Sequence, residues 1–192
     1  MISNKKNVFY ISHDAIKDLA LYKNVYFLTP LAKSPKYILP CILPSITKIK
    51  STIPIFIIQG NIEEKRRNYK SLIPIFEKYK NNDFIIKIVG RGKLPNYLKP
   101  YIKKIVIKSN LDFINFHKQF SDVFCILPLI DDSFKHKYFT SKYTSTISYG
   151  LAYNLTFLCH SKLKKIYPIK KYKTYSNQDE MTEQFGVLLN NF

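Results

Sequence analysis

Glycine, polar and basic residues follow the apolar runs of this sequence at the points where those runs end. The first such run is followed by Gly60 and Asn61 and then by the basic pair Arg66–Arg67, and the next is followed by Gly90–Arg91–Gly92. Free backbone N–H groups of a glycine turn and guanidinium groups both bind phosphate oxygens. A phosphate-bearing ligand is therefore the chemistry that these residues predict.

A second group of polar residues opens a helix that we predict from Ser141 to about Tyr153. The group consists of Lys142, Thr144, Ser145 and Thr146. The first turn of a helix has backbone N–H groups without intrahelical partners, and hydroxyls and a lysine beside them complete a phosphate site. Arg66 and Arg67, which we expect at the start of another helix, could reach the same anion from across the crevice.

Each of these features also has an explanation without a ligand. A Gly-x-Gly turn can serve backbone geometry alone, a Ser and Thr cluster at a helix start can be capping, and an Arg pair can be a solvated face. Their position favours a ligand, because all of them lie at the same end of consecutive predicted strands, where open parallel sheets bind ligands.

The sequence has no motif that is typical of other kinds of catalysis. The sequence has no GxSxG nucleophile elbow and no GxxxxGK[ST] phosphate loop. Asp131–Asp132 could hold a cation or an acceptor hydroxyl, but a pair of turn-forming acids explains them better. The histidines lack metal-ligand spacing, so we expect no metal site; they are His13, His117, His136 and His160.

The chain of 192 residues carries 31 Lys and Arg against 13 Asp and Glu, and this formal charge of +18 points to anionic partners. Lys, Ile, Asn and Tyr, the residues of AT-rich codons, are abundant, so part of the charge has a genomic explanation. Its placement is more informative, because no acidic residue lies between Ser133 and Gln178, whereas lysines recur there from Lys135 to Lys173. A nucleic-acid or polyanion-binding face with stacking aromatics is therefore a second hypothesis.

Composition also indicates the compartment. No run of about twenty apolar residues is present, so we expect no transmembrane helix, and the first residues do not have the pattern of a signal peptide. The three cysteines give an odd count without CxxC spacing, and Cys125 and Cys159 lie in apolar runs. We therefore expect buried, reduced thiols in a cytoplasmic protein.

Five short apolar runs alternate with segments of helical periodicity. We predict strands near residues 54–58, 84–89, 104–107, 123–127 and 156–159, and a terminal helix from Asp179 to Leu189. Such alternation is typical of a buried parallel sheet, and right-handed connections then give a doubly wound order. The predicted fold class is α/β, a Rossmann-like doubly wound parallel sheet of about five strands with helices on both faces.

The first fifty residues follow a different pattern. Val8–Ile11 and Val25–Leu28 are two short predicted strands, and four prolines that a regular helix does not tolerate then follow: Pro30, Pro35, Pro40 and Pro44. We predict that residues 1–50 are an N-terminal arm or linker on the surface and that residues 51–192 are the Rossmann-like domain. Pro74 lies inside a helical pattern, so we expect a kink or a late helix start there.

The order of these motifs resembles the C-terminal half of GT-B glycosyltransferases. The resemblance runs from about residue 54 to 167 and rests on Gln59-Gly60-Asn61 with Arg66-Arg67, Val89-Gly90-Arg91-Gly92, Ile126-Leu127-Pro128-Leu129-Ile130-Asp131, and the segment from Lys142 to Ala152. In that family this half is a Rossmann-like domain that binds the nucleotide-sugar donor. The resemblance implies that the Gly60 turn and Arg66 lie near the donor pyrophosphate and that the helix after Ser141 points its N-terminus at the diphosphate.

The function that follows from the resemblance is transfer of a sugar from a nucleotide-diphosphate sugar, a UDP- or GDP-sugar, to a glycan or protein acceptor, with no metal and no other cofactor. Arg66 and Lys142 are the predicted catalytic residues, which neutralise charge on the leaving diphosphate. The nucleobase is expected near Gly90 and Ser109. The predicted donor-binding residues are Gly60, Asn61, Arg67, Gly90, Arg91, Ser109, Thr144, Ser145 and Thr146.

The sequence departs from the family in three ways. Ser141 and Tyr149 stand where the common retaining pattern has two glutamates, and Asn61 stands where an Arg usually follows the turn glycine. The N-terminal acceptor-binding domain is absent, so we expect it in a separate chain or a missing part. A Rossmann-like relic without a ligand therefore stays open beside the polyanion hypothesis.

Overall fold

The computed structural model describes residues 9–16, 19, 22–32, 36–39, 44–133 and 137–192. The strands are β1 (Tyr10–Ser12), β2 (Val25–Phe27), β3 (Ile55–Gln59), β4 (Ile85–Val89), β5 (Ile105–Lys108), β6 (Cys125–Ile126), β7 (Thr156–His160) and β8 (Tyr172–Tyr175). The α-helices are α1 (Leu72–Lys78), α2 (Phe113–Lys118), α3 (Ser145–Ala152), α4 (Ser161–Ile166) and α5 (Gln178–Asn190). Short 3-10 helices cover Pro30–Ala32, Tyr69–Ser71, Asn96–Lys104 and Lys137–Phe139.

Six parallel strands form one sheet in the order β5-β4-β3-β6-β7-β8. This is the doubly wound order, in which the chain starts in the middle, moves to one edge and then returns to build the other half. The predicted fold class and its five parallel strands are confirmed. The sixth strand, β8, was not predicted, because Tyr172–Tyr175 has Lys173 and Thr174 between its two tyrosines at the edge of the sheet and does not form an apolar run.

Helices cover both faces of this sheet because successive side chains of each strand point to opposite sides. Phe56 and Ile58 of β3 belong to the core cluster that packs against α1 and α5, whereas Ile57 between them belongs to the cluster that packs against α3 and α4. Phe185 of α5 stacks on Phe56 with ring centroids 4.2 Å apart. The strands are therefore buried on both sides, which is why they are continuously apolar in the sequence.

The helix ends show where local signals hold and where distant contacts override them. Helix α1 begins at Leu72 after a 3-10 turn, so Pro74 lies in its first turn, where a missing N–H costs nothing. This is the late start that the sequence predicts. Helix α5 begins after Asn177, whose side chain accepts from the Glu180 N–H, and the predicted terminal helix is confirmed.

The predicted start of the helix that follows β6, now α3, was wrong. Helix α3 begins at Ser145 and not at Ser141, because the preceding residues pair with the N-terminal segment. Lys142 forms an antiparallel bridge with Asp14, and the Tyr143 N–H lies 3.4 Å from the carbonyl oxygen of His13. Lys142 is therefore not part of the helix.

The N-terminal segment packs on the face that carries α3 and α4. Strands β1 and β2 form a separate two-stranded parallel sheet, and Val8, the predicted start of β1, lies outside the described residues. The Thr29 hydroxyl lies 3.3 Å from that of Tyr167, and the Ile49 N–H donates to the Ser121 carbonyl. Pro35 and Pro40 also lie outside the described residues. The division of the chain near residue 50 stays a prediction.

Two of the three cysteines lie in the core. Cys125 and Cys159 are free and fully buried, as predicted, and burial raises the pKa of the Cys159 thiol to about 12. A thiol with so high a pKa is almost entirely protonated at neutral pH and therefore unreactive. Cys41 lies outside the described residues.

Candidate functional site

The carboxyl ends of β3, β4 and β5 surround a cavity of about 290 Å³, which we call the edge pocket. This volume is close to roughly 300 Å³, the lower end for small-molecule sites, so the pocket has room for part of a nucleotide. Four of the predicted donor-binding residues line it. The lining residues are Gln59, Gly60, Asn61, Val89, Gly90, Arg91, Lys108, Asn110, Leu111 and Phe116.

Two glycine turns bring the backbone itself to this pocket. Gly60 has a φ of +115°, which an L side chain rarely adopts, and a Cβ there would lie 2.5 Å from the Arg67 guanidinium. A Cβ on Gly90 would lie 2.0 Å from the Gly60 carbonyl oxygen. The two turns therefore touch through backbone atoms. Their own N–H groups are used within the fold, since Gly60 donates to the Val89 carbonyl and Gly90 to the Lys108 carbonyl.

Arg67 fixes the place where the strand order reverses, which we call the switch point. Its guanidinium donates to the carbonyl oxygens of Gln59, at the end of β3, and of Pro128, just after β6. It also donates to the Thr146 hydroxyl over 3.2 Å. The side chain is 7% exposed, and burial lowers its pKa from the ordinary value.

This buried charge has an unusual environment. Within the part of the chain that the structure describes, no carboxylate lies within ion-pair distance of Arg67. Buried charges are costly and are normally paired. Neutral carbonyl and hydroxyl groups surround the guanidinium, so its positive charge remains uncompensated beside the Gly60 turn.

The Gln59 side chain, which lines the edge pocket, connects the pocket to the start of α3 by hydrogen bonds. The Gln59 side-chain oxygen accepts from the Thr146 hydroxyl at 3.2 Å and from the Ser145 hydroxyl at 3.4 Å. Thr144 and Thr146 are buried, whereas Ser145 is exposed. Of the three hydroxyl residues predicted to bind the donor, Ser145 is thus the accessible one, and Thr146 holds the switch point together.

The two predicted catalytic residues do not line the edge pocket. Arg66 lies in an exposed turn, not at a helix start, and its Nε donates to Glu63 at 2.7 Å. Hydrogen bonds from Asn61 and then Arg66 lower the pKa of the Glu63 carboxyl. Lys142 is exposed in the segment before α3. The structure therefore brings together the predicted glycines with Asn61, Arg67 and Arg91, and leaves Arg66 and Lys142 at a distance from the pocket lining.

Sequence reasoning missed several lining residues of the pocket. Ser109 was predicted, but its neighbours Lys108 and Asn110 line the cavity instead. Phe116, whose spacing predicts a helix after this strand, also lines the cavity. The position of these residues after the third strand was the available signal, because every strand end on one edge is a candidate and not the glycine-bearing ends alone.

The described residues contain neither a cluster of metal ligands nor a membrane-spanning helix. Among the described residues, no group of three or more His, Cys, Asp or Glu side chains is arranged to hold a metal ion. His136 lies outside those residues. In the same part of the chain, no helix has the length and apolar character that crossing a bilayer requires.

Comparison with known proteins identifies a shared fold. No protein-family model matches the sequence, and no curated protein matches it. The crystal structure of TarM aligns with a TM-score of 0.54 and 13% sequence identity over 89% of this chain. The wall teichoic acid polymerase TagF aligns with a TM-score of 0.34 and 14% identity over 79% of this chain. The chain spans 33% of the TarM chain and 37% of the TagF chain. The likeness to TarM shows the fold alone, a mostly parallel sheet with helices around it that is of the Rossmann-like α/β type.

Proposed function

We propose that this chain is the donor-binding half of a GT-B-like glycosyltransferase and that the edge pocket holds part of a nucleotide-diphosphate sugar. The observation that supports the proposal most is the pair of touching glycine turns at Gly60 and Gly90. They present bare backbone at the carboxyl ends of β3 and β4, beside the switch point, where doubly wound sheets bind their ligands. The Gly60 and Gly90 N–H groups donate to the carbonyls of Val89 and Lys108, so in this proposal the phosphate oxygens are bound by the peptide groups that follow the glycines in the two turns.

Positive groups around the pocket support a diphosphate ligand. Arg91 and Lys108 line the cavity with exposed side chains, and the Arg67 guanidinium lies directly behind the Gly60 turn. Fixed cations stabilise the charge that develops on a leaving nucleoside diphosphate, and they cost no reorganisation during the reaction. In this mechanism those groups and the start of α3 carry the role for which the family resemblance suggests Arg66 and Lys142.

The side of the pocket nearest β5 suits the nucleobase. Leu111 and Phe116 offer apolar surface, and Asn110 offers an amide that can donate and accept. This places the base close to Ser109, as the resemblance implies. The donor is a UDP- or GDP-sugar in this proposal, the acceptor is a glycan or protein, and the acceptor-binding domain is separate from this chain. A cytoplasmic location belongs to the same proposal.

The polyanion-binding hypothesis has less support from the packing of its aromatic residues. Tyr167 is 2% exposed, and four others pack at least partly against the core; these are Tyr138, Phe139, Tyr143 and Tyr149. Tyr172 is 44% exposed, but Lys164 Nζ lies over its ring at 4.8 Å. Stacking on bases requires accessible ring faces. Lys135 lies outside the described residues.

Binding of nucleoside diphosphates tests the proposal directly. We expect UDP or GDP to raise the melting temperature of the protein, and calorimetry to show a single site. Lys108→Ala and Arg91→Ala should each weaken binding by about 1.5–3 kcal/mol, the range for a hydrogen bond to a charged group. Lys171→Ala and Lys173→Ala are the controls, because both change a lysine next to or in β8, and they should leave the affinity unchanged.

Other outcomes separate the hypotheses. Equal losses at all four positions, with duplex DNA binding whose log affinity falls by about 0.9 per contacted phosphate for each unit of log salt, would favour a polyanion surface. The absence of any shift with the diphosphates of uridine, guanosine, adenosine, cytidine and thymidine would contradict donor binding. Loss of affinity in Arg66→Ala or Lys142→Ala would extend the site beyond the edge pocket, as the family resemblance implies.

A further inference from the structure

Two further cavities lie near the switch point, apart from the edge pocket. One, of about 670 Å³, lies between the turn at residues 64–70 and Tyr97. The other, of about 210 Å³, lies between the carboxyl ends of β7 and β8 and the start of α5. Asn68 and Ser133 line both cavities, so the two adjoin. We call the combined space the polar groove.

The residues that line the groove carry buried polar atoms that have no hydrogen-bond partner among the described residues. They are Arg67 Nε, Tyr69 Oη, His160 Nε2 and Tyr175 Oη. All four residues line the groove, and each is at least nine-tenths buried, with exposures of 7%, 1%, 2% and 2%. Leaving one such group unsatisfied costs about 1–3 kcal/mol, and native proteins leave few of them. Four around one space indicate a ligand that supplies the missing partners.

Two of these atoms belong to residues that line the smaller cavity, His160 and Tyr175. His160 Nε2 lies 3.6 Å from Asp132 Oδ2, just beyond hydrogen-bond distance, and Asp132 lines the same cavity. The polar end of His160 is therefore on the side of the cavity that carries Asp132.

The protein's own contacts determine what these atoms can offer. His160 Nδ1 accepts the backbone N–H of Lys162 at 3.3 Å, so the neutral ring carries its proton on Nε2 and donates from there. Arg67 Nε is also a donor, and the two tyrosine hydroxyls can donate or accept. The carboxylates of Asp131 and Asp132 line the same space. Asp131 accepts from Asn68 and Ser133, and Asp132 accepts from Lys162 at 2.6 and 2.7 Å, so the lone pairs that remain on their oxygens are the acceptors for a ligand. The groove thus presents donors and acceptors side by side.

The charges that line the groove balance, in contrast to the chain as a whole. Three cations and three anions line it: Lys65, Arg67 and Lys70 against Glu64, Asp131 and Asp132. The whole chain has a formal charge of +18, so this balance is local. A balanced lining gives little net attraction for an anion. A neutral ligand with many hydroxyl groups matches both the charge balance and the mixture of donors and acceptors.

We propose that the polar groove binds a neutral saccharide. The hydroxyl groups of the sugar satisfy Tyr69, His160 and Tyr175, and the carboxylates opposite accept from the same sugar. Arg67 lies between the two sites. Its Nη2 is next to Gly60 of the edge pocket, whereas its Nε is one of the unpartnered atoms of the groove. Binding in the groove does not depend on nucleotide binding.

Nuclear magnetic resonance of the ¹⁵N-labelled full chain tests this proposal. The probes are glucose, galactose, mannose, N-acetylglucosamine and the disaccharides maltose and lactose, each titrated to millimolar concentration without nucleotide, with inorganic phosphate as the anionic comparison. We expect at least one saccharide to shift the amide signals of Asn68, Ser133 and Ser176, and phosphate to leave them in place. A stronger response to phosphate than to every saccharide, or no response to any saccharide, would overturn the proposal.

Tyr175→Phe separates binding from packing, because it removes one hydroxyl and keeps the ring. We expect the saccharide affinity to fall about two- to tenfold, the value of one neutral hydrogen bond, while the melting temperature stays the same or rises. Tyr172→Phe is the matched control on the same strand, since Tyr172 lies outside the groove. An unchanged affinity in Tyr175→Phe would contradict the proposal. Shifts at Gly60 and Gly90 with UDP or GDP report separately on the edge pocket, so failure of one site is distinguishable from failure of the other.

Discussion

On the β3–β5 side of the switch point, glycine backbone forms the carboxyl edge of the sheet, whereas on the β6–β8 side buried polar side chains form it. In the edge pocket, the carbonyl of Gly60 lies where a Cβ of Gly90 would stand. In the polar groove, the lining residues His160 and Tyr175 carry buried hydrogen-bonding atoms that no described residue satisfies. The same sheet therefore offers two kinds of recognition, one by peptide groups and one by side chains.

The two constructions respond differently to mutation. A peptide-group site is part of the chain path, so a change there alters the fold and the site together. A side-chain site can lose one polar atom while the surrounding packing stays intact. A buried polar atom without a hydrogen-bond partner lowers the free energy of unfolding, so its removal does not destabilise the protein. Stability and binding should therefore change together in the edge pocket and independently in the groove.

Gly90→Ala should have the largest effect on stability. The added Cβ meets the backbone of Gly60 at 2.0 Å, and backbone on both sides cannot move aside without displacing a strand end. We expect a loss of about 3 kcal/mol in the free energy of unfolding, the upper part of the range for overpacking, together with loss of nucleotide binding. Urea unfolding followed by circular dichroism measures it. Lys93→Ala, an exposed change in the same loop, is the control, and a Gly90→Ala protein as stable as the wild type would contradict the backbone construction.

A smaller effect is expected at the arginine that joins the two sites. Arg67→Ala leaves the carbonyl oxygens of Gln59 and Pro128 without this donor, and it also removes a buried unpaired charge. We expect a net loss of about 2 kcal/mol, within the range for groups left unsatisfied. Arg66→Ala is the matched control, because Arg66 is half exposed and bonds Glu63, and it should change stability little. Equal effects of the two substitutions in thermal unfolding would mean that Arg67 does not hold the switch point.

Much of the fold could be predicted from the sequence, because local patterns control it. Strands covered on both faces are apolar throughout, and this is how β3, β4, β5 and β7 were found. The start of α3 could not be predicted, because it depends on Lys142 pairing with Asp14, a contact between residues far apart in the sequence. Strand β8 is an edge strand with a polar pattern, so its pairing with β7 became visible in the structure alone.

The two sites differ in the same way. Gly60, Asn61, Gly90 and Arg91 could be predicted as pocket residues, because turn residues after apolar runs mark strand ends. The groove residues come from separate elements: Arg67 and Tyr69 from the segment before α1, His160 from the end of β7 and Tyr175 from the end of β8. Arg67 alone belongs to a motif, the Arg66–Arg67 pair, and the buried polar atoms of all four residues become apparent after the chain is folded. A site built from peptide groups can be predicted from the turn residues in the sequence. A site assembled from side chains of separate elements can hardly be predicted in this way.

The smallest expected effect concerns the histidine next to the edge pocket. His117 follows Phe116, a pocket residue, and is 2% exposed among aromatic rings, with its Nδ1 bonded to the Tyr153 hydroxyl. Burial lowers the pKa of His117 below its ordinary value of 6.5. The unfolded chain therefore takes up a proton near pH 6.5 that the folded protein accepts at lower pH.

This difference in proton uptake sets the sign of the pH dependence. Where the unfolded state binds more protons, stability rises with pH, so the free energy of unfolding should decrease as pH falls from about 6.5 to the pKa of His117 in the folded protein. The slope from one such group is at most about 1.4 kcal/mol per pH unit. Urea unfolding at a series of pH values measures the slope, which should be shallower in His117→Gln than in the wild type. His13→Gln, a change of an exposed histidine, should keep the wild-type slope. A His117 pKa above 6.5 in a magnetic resonance titration would reverse the sign and exclude burial as the dominant influence on this ring.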